Sequence, residues 1–433
     1  MNKFAPAERL GRLRPNVWEV FAQLAVENAP VAHLGSGFPD MWPPKFVSKI
    51  LYESFADPSV HQETDSRGHP RLLQALRSLY SKLIQRNIAS DEVLVTLGAY
   101  EALYCAFTGL LNPGDEVILI EPYFDCYEAM ATMAGAQPVF VTMRPISTPW
   151  LTTVFLLFVM LSAQDPDGKW KLDMSELSSA FSSRTKVIVV NTPQNPTGKV
   201  FSREELSEIR SLCQTHDIIA VMDEVYEWTV FDGKHVRMAS LPDMWDRTIT
   251  IGSCGKSFAV TGWHIGWAYG PSQLLESLRR VHLLTLNSCP TPMQEAAARA
   301  IEAELRLLGH PCSYWCQLPQ MLREKSRRLC SILENAGFRV FQPQAGFFVI
   351  ADFSEFSEQF FELDEPTSVE EPDDLRFCRW LVQRKKILTI PSSAFYSATN
   401  ALEAKGLLRC CFFKATATLN QVEENLRLSL SSA

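Results

Sequence analysis

Six short apolar runs, at residues 93–95, 117–120, 187–190, 218–222, 248–251 and 265–268, recur along this chain with room for a helix between most of them. Each has the length of a strand and carries apolar residues at consecutive positions, the pattern of a strand covered on both faces. The intervening stretches 101–111, 127–134 and 204–216 have helical character. Buried strands alternating with helices predict an α/β fold built on a mostly parallel sheet covered on both faces.

With 433 residues, the chain exceeds one ordinary core, and two or three domains are expected. After about residue 305 the pattern changes. A long polar helix is predicted over 314–337, ending at Gly337, followed by a strand at 347–351, an acidic loop at 352–374, a helix at 375–384 and a strand at 407–413. We therefore expect an N-terminal arm at 1–45 that packs with a smaller α+β domain at 306–433. The large domain lies between them at 46–305.

A net charge of −8 argues against a nucleic-acid footprint and against binding to acidic membrane surfaces. The eleven cysteines follow no framework spacing. Neither Cys410-Cys411 nor the near-pair Cys312 and Cys316 has the second cluster that zinc requires, so no metal site is expected and the thiols read as reduced. The N-terminus lacks the apolar core of a secretory signal. Arg9, Arg12 and Arg14 suggest a mitochondrial address that Glu8 and Glu19 oppose, which leaves the cytoplasm as the first expectation and mitochondria as the second. Residues 151–163 are almost wholly apolar but too short for a membrane span, which needs about 20 residues. A buried strand or short helix is expected there, with an exposed contact patch as the alternative.

A polar cluster follows most of the early runs: Gly98-Ala99-Tyr100, Glu121-Pro122-Tyr123-Phe124, residues 191–195, Asp223, and residues 253–256. All fall at carboxyl ends of predicted strands, where open α/β sheets bind their ligands. Among them, Lys256 sits between small residues just after an apolar strand, which suits an amine that must reach a cofactor. With Asp223-Glu224-Val225-Tyr226 upstream, the set reads as a site for pyridoxal 5'-phosphate. Lys256 would form the Schiff base, and Asp223 would keep the ring nitrogen protonated. Tyr226 and Asn195 would stabilise the phenolic oxygen. The backbone of Ala99 and Tyr100 at a helix start, with the Ser253 hydroxyl, would hold phosphate, and Phe124 would stack on the ring. Arg409, a charge inside an apolar run, suits a bidentate clasp on a carboxylate, with a structural salt bridge as its alternative. Taken alone, Asp223 also fits a helix N-cap. Ser253-Cys254-Gly255-Lys256 matches S-x-x-K without its companion motifs, and no G-x-G-x-x-G follows a strand.

With these residues assembled, the sequence resembles the fold-type I aminotransferases, and within them the kynurenine aminotransferase, glutamine transaminase K and cysteine-conjugate β-lyase family. The resemblance rests on residues 34–40, 121–127, 191–201, 223–226, 253–267 and 409–414. It implies the fold-type I architecture, with a mostly parallel seven-stranded-type sheet in the large domain, and a homodimer. It also implies transfer of an amino group from glutamine, kynurenine or a bulky neutral or aromatic amino acid to a 2-oxo acid, with β-elimination from cysteine S-conjugates as a side activity. Arg409, Asn195 and the Gly37 backbone would bind the substrate carboxylate, and Trp18 would line the side-chain pocket. The chain departs from the family at His264, where a lysine facing the phosphate is usual, and at Glu63, where a tyrosine is usual. Residues 287–290 replace the family's aromatic and histidine residues with small polar ones. The first two changes are expected to weaken cofactor binding, and they motivate an alternative reading as a diverged, non-catalytic dimeric binding protein.

Overall fold

The computed structural model describes residues 4–14, 16–146, 169–356 and 371–427. The apolar stretch 151–163 lies outside the described residues, as does most of the acidic loop. The central sheet has seven strands: β1 (Val93–Leu97), β2 (Glu116–Glu121), β3 (Gln137–Thr142), β4 (Thr185–Asn191), β5 (Ile219–Asp223), β6 (Thr248–Ser253) and β7 (Ile265–Tyr269). Their order is β1-β7-β6-β5-β4-β2-β3. Every pairing is parallel except those of β7, which runs antiparallel to both β1 and β6. Six strands thus match the apolar runs of the sequence. The seventh, β3, escaped that reading because it is an edge strand with one exposed and three half-buried residues, so it lacks the continuous apolar signature.

Helices cover both faces. Residues of β2 and β4 alternate between two separate apolar clusters, with Val117, Leu119, Val187 and Val189 in one and Ile118, Ile120, Ile188 and Val190 in the other. That division is the physical reason these strands need apolar residues at every position. The covering helices are locally well specified. Arg203–Thr215 opens on a capping box between Ser202 and Glu205, and Cys126–Ala134 stops at Gly135, in the left-handed region at φ 79°.

A second, antiparallel sheet comprises β8 (Arg339–Phe341), β9 (Phe348–Asp352), β10 (Ile390–Pro391) and β11 (Leu407–Cys411), in the order β8-β9-β11-β10. A short strand at Ala32–His33 pairs in parallel with Ile387–Leu388, and the Cys411 amide donates to the Leu34 carbonyl at 2.7 Å. The segment after Ala32 is thereby drawn across the end of β11 towards the rim of the large sheet.

Because β7 is reversed, its amino end lies beside the carboxyl ends of β1 and β6, with Ile265 opposite Leu97 and Gly266 opposite Ser253. His264 therefore joins the same rim as Gly98, Asn191, Asp223 and Ser253.

Candidate active site

A cavity of about 560 Å³ opens on that rim. Its lining includes Trp18, Gly37, Ala99, Tyr100, Phe124, Asn195, Asp223, Tyr226, Ser253, Lys256, His264 and Arg409. Every residue singled out from the sequence as a site residue thus borders one space. Glu63 does not: it is exposed and lies outside the lining of this cavity. A separate polar cavity of about 620 Å³, bordered by Asp65, Arg67, Glu276 and Arg279, contains none of these groups.

Lys256 is partly buried in the short helix Cys254–Ser257 that follows β6. Its Nζ donates to the Gly37 carbonyl at 3.0 Å and lies 5.7 Å from the ring centres of Tyr226 and Phe347. Burial lowers its pKa to about 8, and the nearby Arg409 and Lys414 push in the same direction. Gly37 can approach only because it lacks a side chain: a Cβ there would meet Phe348 Cζ at 2.4 Å.

Asp223 ends β5 and is buried. It caps no helix among the described residues, contrary to the alternative weighed for it. Its Oδ2 accepts from the Tyr127 hydroxyl at 2.5 Å, and its Oδ1 receives only a long contact, 3.4 Å, from the Val225 amide. Burial raises its pKa to about 6, against the lowering effect of Tyr127, Val225 and Lys256. Asn191 locks the adjoining loop: its Nδ2 donates to the Asp223 carbonyl at 2.8 Å, and its Oδ1 accepts from the Asn195 amide at 2.7 Å.

Arg409 points from β11 into the same space. Its Nη1 donates to Asn195 Oδ1 at 2.9 Å and its Nη2 to the Gly35 carbonyl at 2.6 Å. It is 1% exposed, its guanidinium is stacked on Phe348 at 4.0 Å, and Phe395 and Trp18 lie within 5.0 Å. Both of these hydrogen-bond partners are neutral, and burial lowers its pKa to about 10. Its Nε makes no hydrogen bond among the described residues. A buried cation held by neutral groups favours an anionic ligand over the structural salt bridge weighed for it. Trp18 is held in turn by a 2.7 Å hydrogen bond from its Nε1 to Asp125 Oδ2.

Residues 98–110 form a helix whose start carries no side-chain cap. Its first amides are free to meet an anion. This start lies against β7 at Gly266, where a Cβ would meet the Ala99 amide nitrogen at 2.4 Å. An uncapped helix start, a buried carboxylate with one lightly engaged oxygen and a desolvated amine in one cavity are the fittings that pyridoxal 5'-phosphate requires. Sequence reasoning gave no role to Tyr127, Asp125, Asn191 or Lys414. Lys414 is fully buried and donates to the carbonyls of Ser36 and Phe38, at 3.2 and 2.8 Å, holding the loop that contains Gly37. The signal for Tyr127 lay in its position in the first turn of the helix after β2.

Comparison with known proteins agrees with this geometry. Residues 29–427 match the model of the family described as aminotransferase class I and II. Human kynurenine--oxoglutarate transaminase 1 is 42% identical over 430 residues, covering 99% of both chains. Human kynurenine--oxoglutarate transaminase 3 is 42% identical over 98% of this chain and 90% of that protein. Among solved structures, Bna3p of Saccharomyces cerevisiae superposes with a TM-score of 0.88 at 31% identity, over 98% of this chain and 99% of that one. A match that spans both sheets and every residue of the cavity rim from Gly37 to Arg409 leaves one assignment: the chain is a fold-type I protein of the aminotransferase class I and II family, whose members depend on pyridoxal 5'-phosphate.

Proposed function

We propose that this protein transfers an amino group from kynurenine, glutamine or a bulky neutral or aromatic L-amino acid to a 2-oxo acid, with pyridoxal 5'-phosphate held by the cavity residues. The observation that carries the reading is the convergence of Lys256, Asp223 and Arg409 on one space, each buried or partly buried and each with neighbours suited to its task. The names of the relatives support kynurenine as donor and oxoglutarate as acceptor.

When bound, the cofactor supplies an electron-withdrawing ring that makes the substrate Cα proton acidic. The chain supplies the rest. Asp223 Oδ1 would receive the ring N–H, and Tyr226 and Asn195, which border the same cavity, would stabilise the phenolic oxygen. The amides of Ala99 and Tyr100, the Ser253 hydroxyl and His264 would hold the phosphate, and Phe124 would flank the ring. Arg409 and Asn195 fix the substrate α-carboxylate, which sets the direction of the Cα–H bond. Lys256, neutral above about pH 8, removes the Cα proton and returns it elsewhere on the same face. The same proton removal permits β-elimination where a cysteine S-conjugate offers a good leaving group. Trp18, Tyr100 and Phe124 give the side-chain pocket its aromatic character.

The same reading includes a homodimer, as the family resemblance implies, and the division into 1–45, 46–305 and 306–433, supported by the two sheets and by the pairing of Ala32–His33 with Ile387–Leu388. The eleven free thiols favour a reducing compartment, with the cytoplasm first. No helix among the described residues is long and apolar enough to cross a membrane. The site geometry offers nothing to the non-catalytic alternative. The deciding experiment is borohydride reduction of the protein loaded with cofactor, followed by peptide mapping. A label on Lys256, together with amino transfer from kynurenine, supports the proposal. A label elsewhere, or none, overturns it.

A further inference from the structure

Asp223 is deeply buried, yet its task requires that it stay ionised and aimed. We propose that Tyr127 is the positioning residue for Asp223: its hydroxyl occupies Oδ2, holds the carboxylate as an anion and turns Oδ1 towards the ring nitrogen of the cofactor. The inference rests on the proposed cofactor site and adds a residue to it.

The geometry is specific. Tyr127 lies in the first turn of the helix Cys126–Ala134, which follows β2, whereas Asp223 ends β5. In the sheet order, β4 stands between those strands, so the contact joins two elements that are not neighbours in the sheet. The 2.5 Å separation is that of a strong, charge-assisted bond. A carboxylate accepts only, so the phenol is the donor. Tyr127 is fixed by its surroundings: it is 2% exposed, parallel to Phe107 at 6.4 Å and edge-on to Phe124 at 6.0 Å. Its hydroxyl therefore cannot turn to water.

The charges facing Asp223 explain the need. Lys256 is the cation that favours its ionised form, while the adjacent Glu224 and burial both oppose ionisation. A protonated Asp223 could not hold a cationic ring. With Oδ2 taken by Tyr127, Oδ1 is held only by the long Val225 contact, which leaves one lightly engaged oxygen on a residue that lines the cavity.

The test uses the apoprotein titrated with pyridoxal 5'-phosphate, read by absorbance and tryptophan fluorescence, for wild type and Tyr127→Phe across pH 5 to 9. Wild-type affinity is expected to fall as the pH drops through about 6, the value set by Asp223. Removing the donor raises the Asp223 pKa, so in Tyr127→Phe the fall begins at higher pH. At neutral pH the affinity is expected to be roughly tenfold to hundredfold weaker, as loss of one charged hydrogen bond implies. The cofactor's own titrations are common to both proteins and cancel in the difference. A double-mutant cycle with Asp223→Asn separates positioning from general structural damage. In the Asp223→Asn background, Tyr127→Phe is expected to cost little further affinity, whereas a structural role would add its full effect. Identical affinity and pH midpoint in wild type and Tyr127→Phe would overturn the inference, as would full additivity in the cycle. If wild type itself fails to take up cofactor at Lys256, the proposed function falls instead, so the two failures are distinguishable.

Discussion

Lys256 donates to the carbonyl of Gly37 across 3.0 Å, although 219 residues separate them in the chain. The bond ties the reactive amine to the loop that approaches Arg409, whose Nη2 holds the neighbouring Gly35 carbonyl. Amine and guanidinium are thus held through one short segment, and that segment depends on the small size of Gly37.

Gly37→Ala should therefore disturb both groups. The added methyl would meet the buried Phe348 ring, and overpacking of this kind costs about 1–3 kcal/mol. A lower Tm in thermal unfolding, with a loss in kcat/KM larger than the fall in stability explains, is the expected result. An active variant of unchanged Tm would contradict it.

Arg409→Lys keeps the charge but loses the planar fork. The ammonium cannot serve Asn195, the Gly35 carbonyl and a substrate carboxylate in the same geometry. The loss of about 1.5–3 kcal/mol for a charged hydrogen bond predicts a KM higher by roughly tenfold to hundredfold, with a smaller change in kcat. Steady-state kinetics with varied amino acid checks the split.

Gly266→Ala should release cofactor. Its Cβ would press on the backbone at Gly98 and Ala99 and displace the uncapped helix start from the phosphate. Equilibrium dialysis is expected to show about tenfold weaker retention or more, with the antiparallel pairing of β7 preserved.

Capture of the cofactor aldehyde by the apoprotein requires the neutral amine of Lys256. The rate should climb about tenfold per pH unit below pH 8 and level off above it. The sign for stability follows from the same displacement. The folded value lies below the ordinary 10.5 of lysine, so this group opposes folding fully below pH 8, and the penalty vanishes as pH rises through 10.5. Stopped-flow absorbance measures the first effect. The comparison of wild type with Lys256→Met in denaturant unfolding measures the second.

His264→Lys should tighten cofactor binding. His264 borders the cavity beside the helix start at Gly98, and a lysine there would offer phosphate a permanent ammonium as its partner. An affinity gain of up to about tenfold is expected at pH 8. Equal affinity would show that the helix amides and Ser253 suffice.

The large sheet was legible because its strands are buried on both faces and so announce themselves as unbroken apolar runs. Gln137–Thr142 did not, since an edge strand needs no such run. The rim was legible for a related reason: Lys256, Asp223 and Asn195 are polar residues placed immediately after those runs. The contacts that tune them were not. Tyr127 with Asp223, Trp18 with Asp125 and Lys414 with the Ser36 loop are long-range meetings of side chains. They depend on how elements cross in three dimensions, which local periodicity does not encode. The resemblance to a family supplied Trp18 and Gly37, whose surroundings in sequence carry no chemistry of their own.

The pairing of Ala32–His33 with Ile387–Leu388, and the grip of Arg409 on Gly35, bear on how the molecule comes into being. A nascent polypeptide presents Asp223 and Lys256 well before Arg409 leaves the ribosome. Every residue named for the vitamin-derived coenzyme is therefore synthesised before the clasp for the amino acid, and neither is complete until Arg409 and Lys414 have closed on the Gly37 loop.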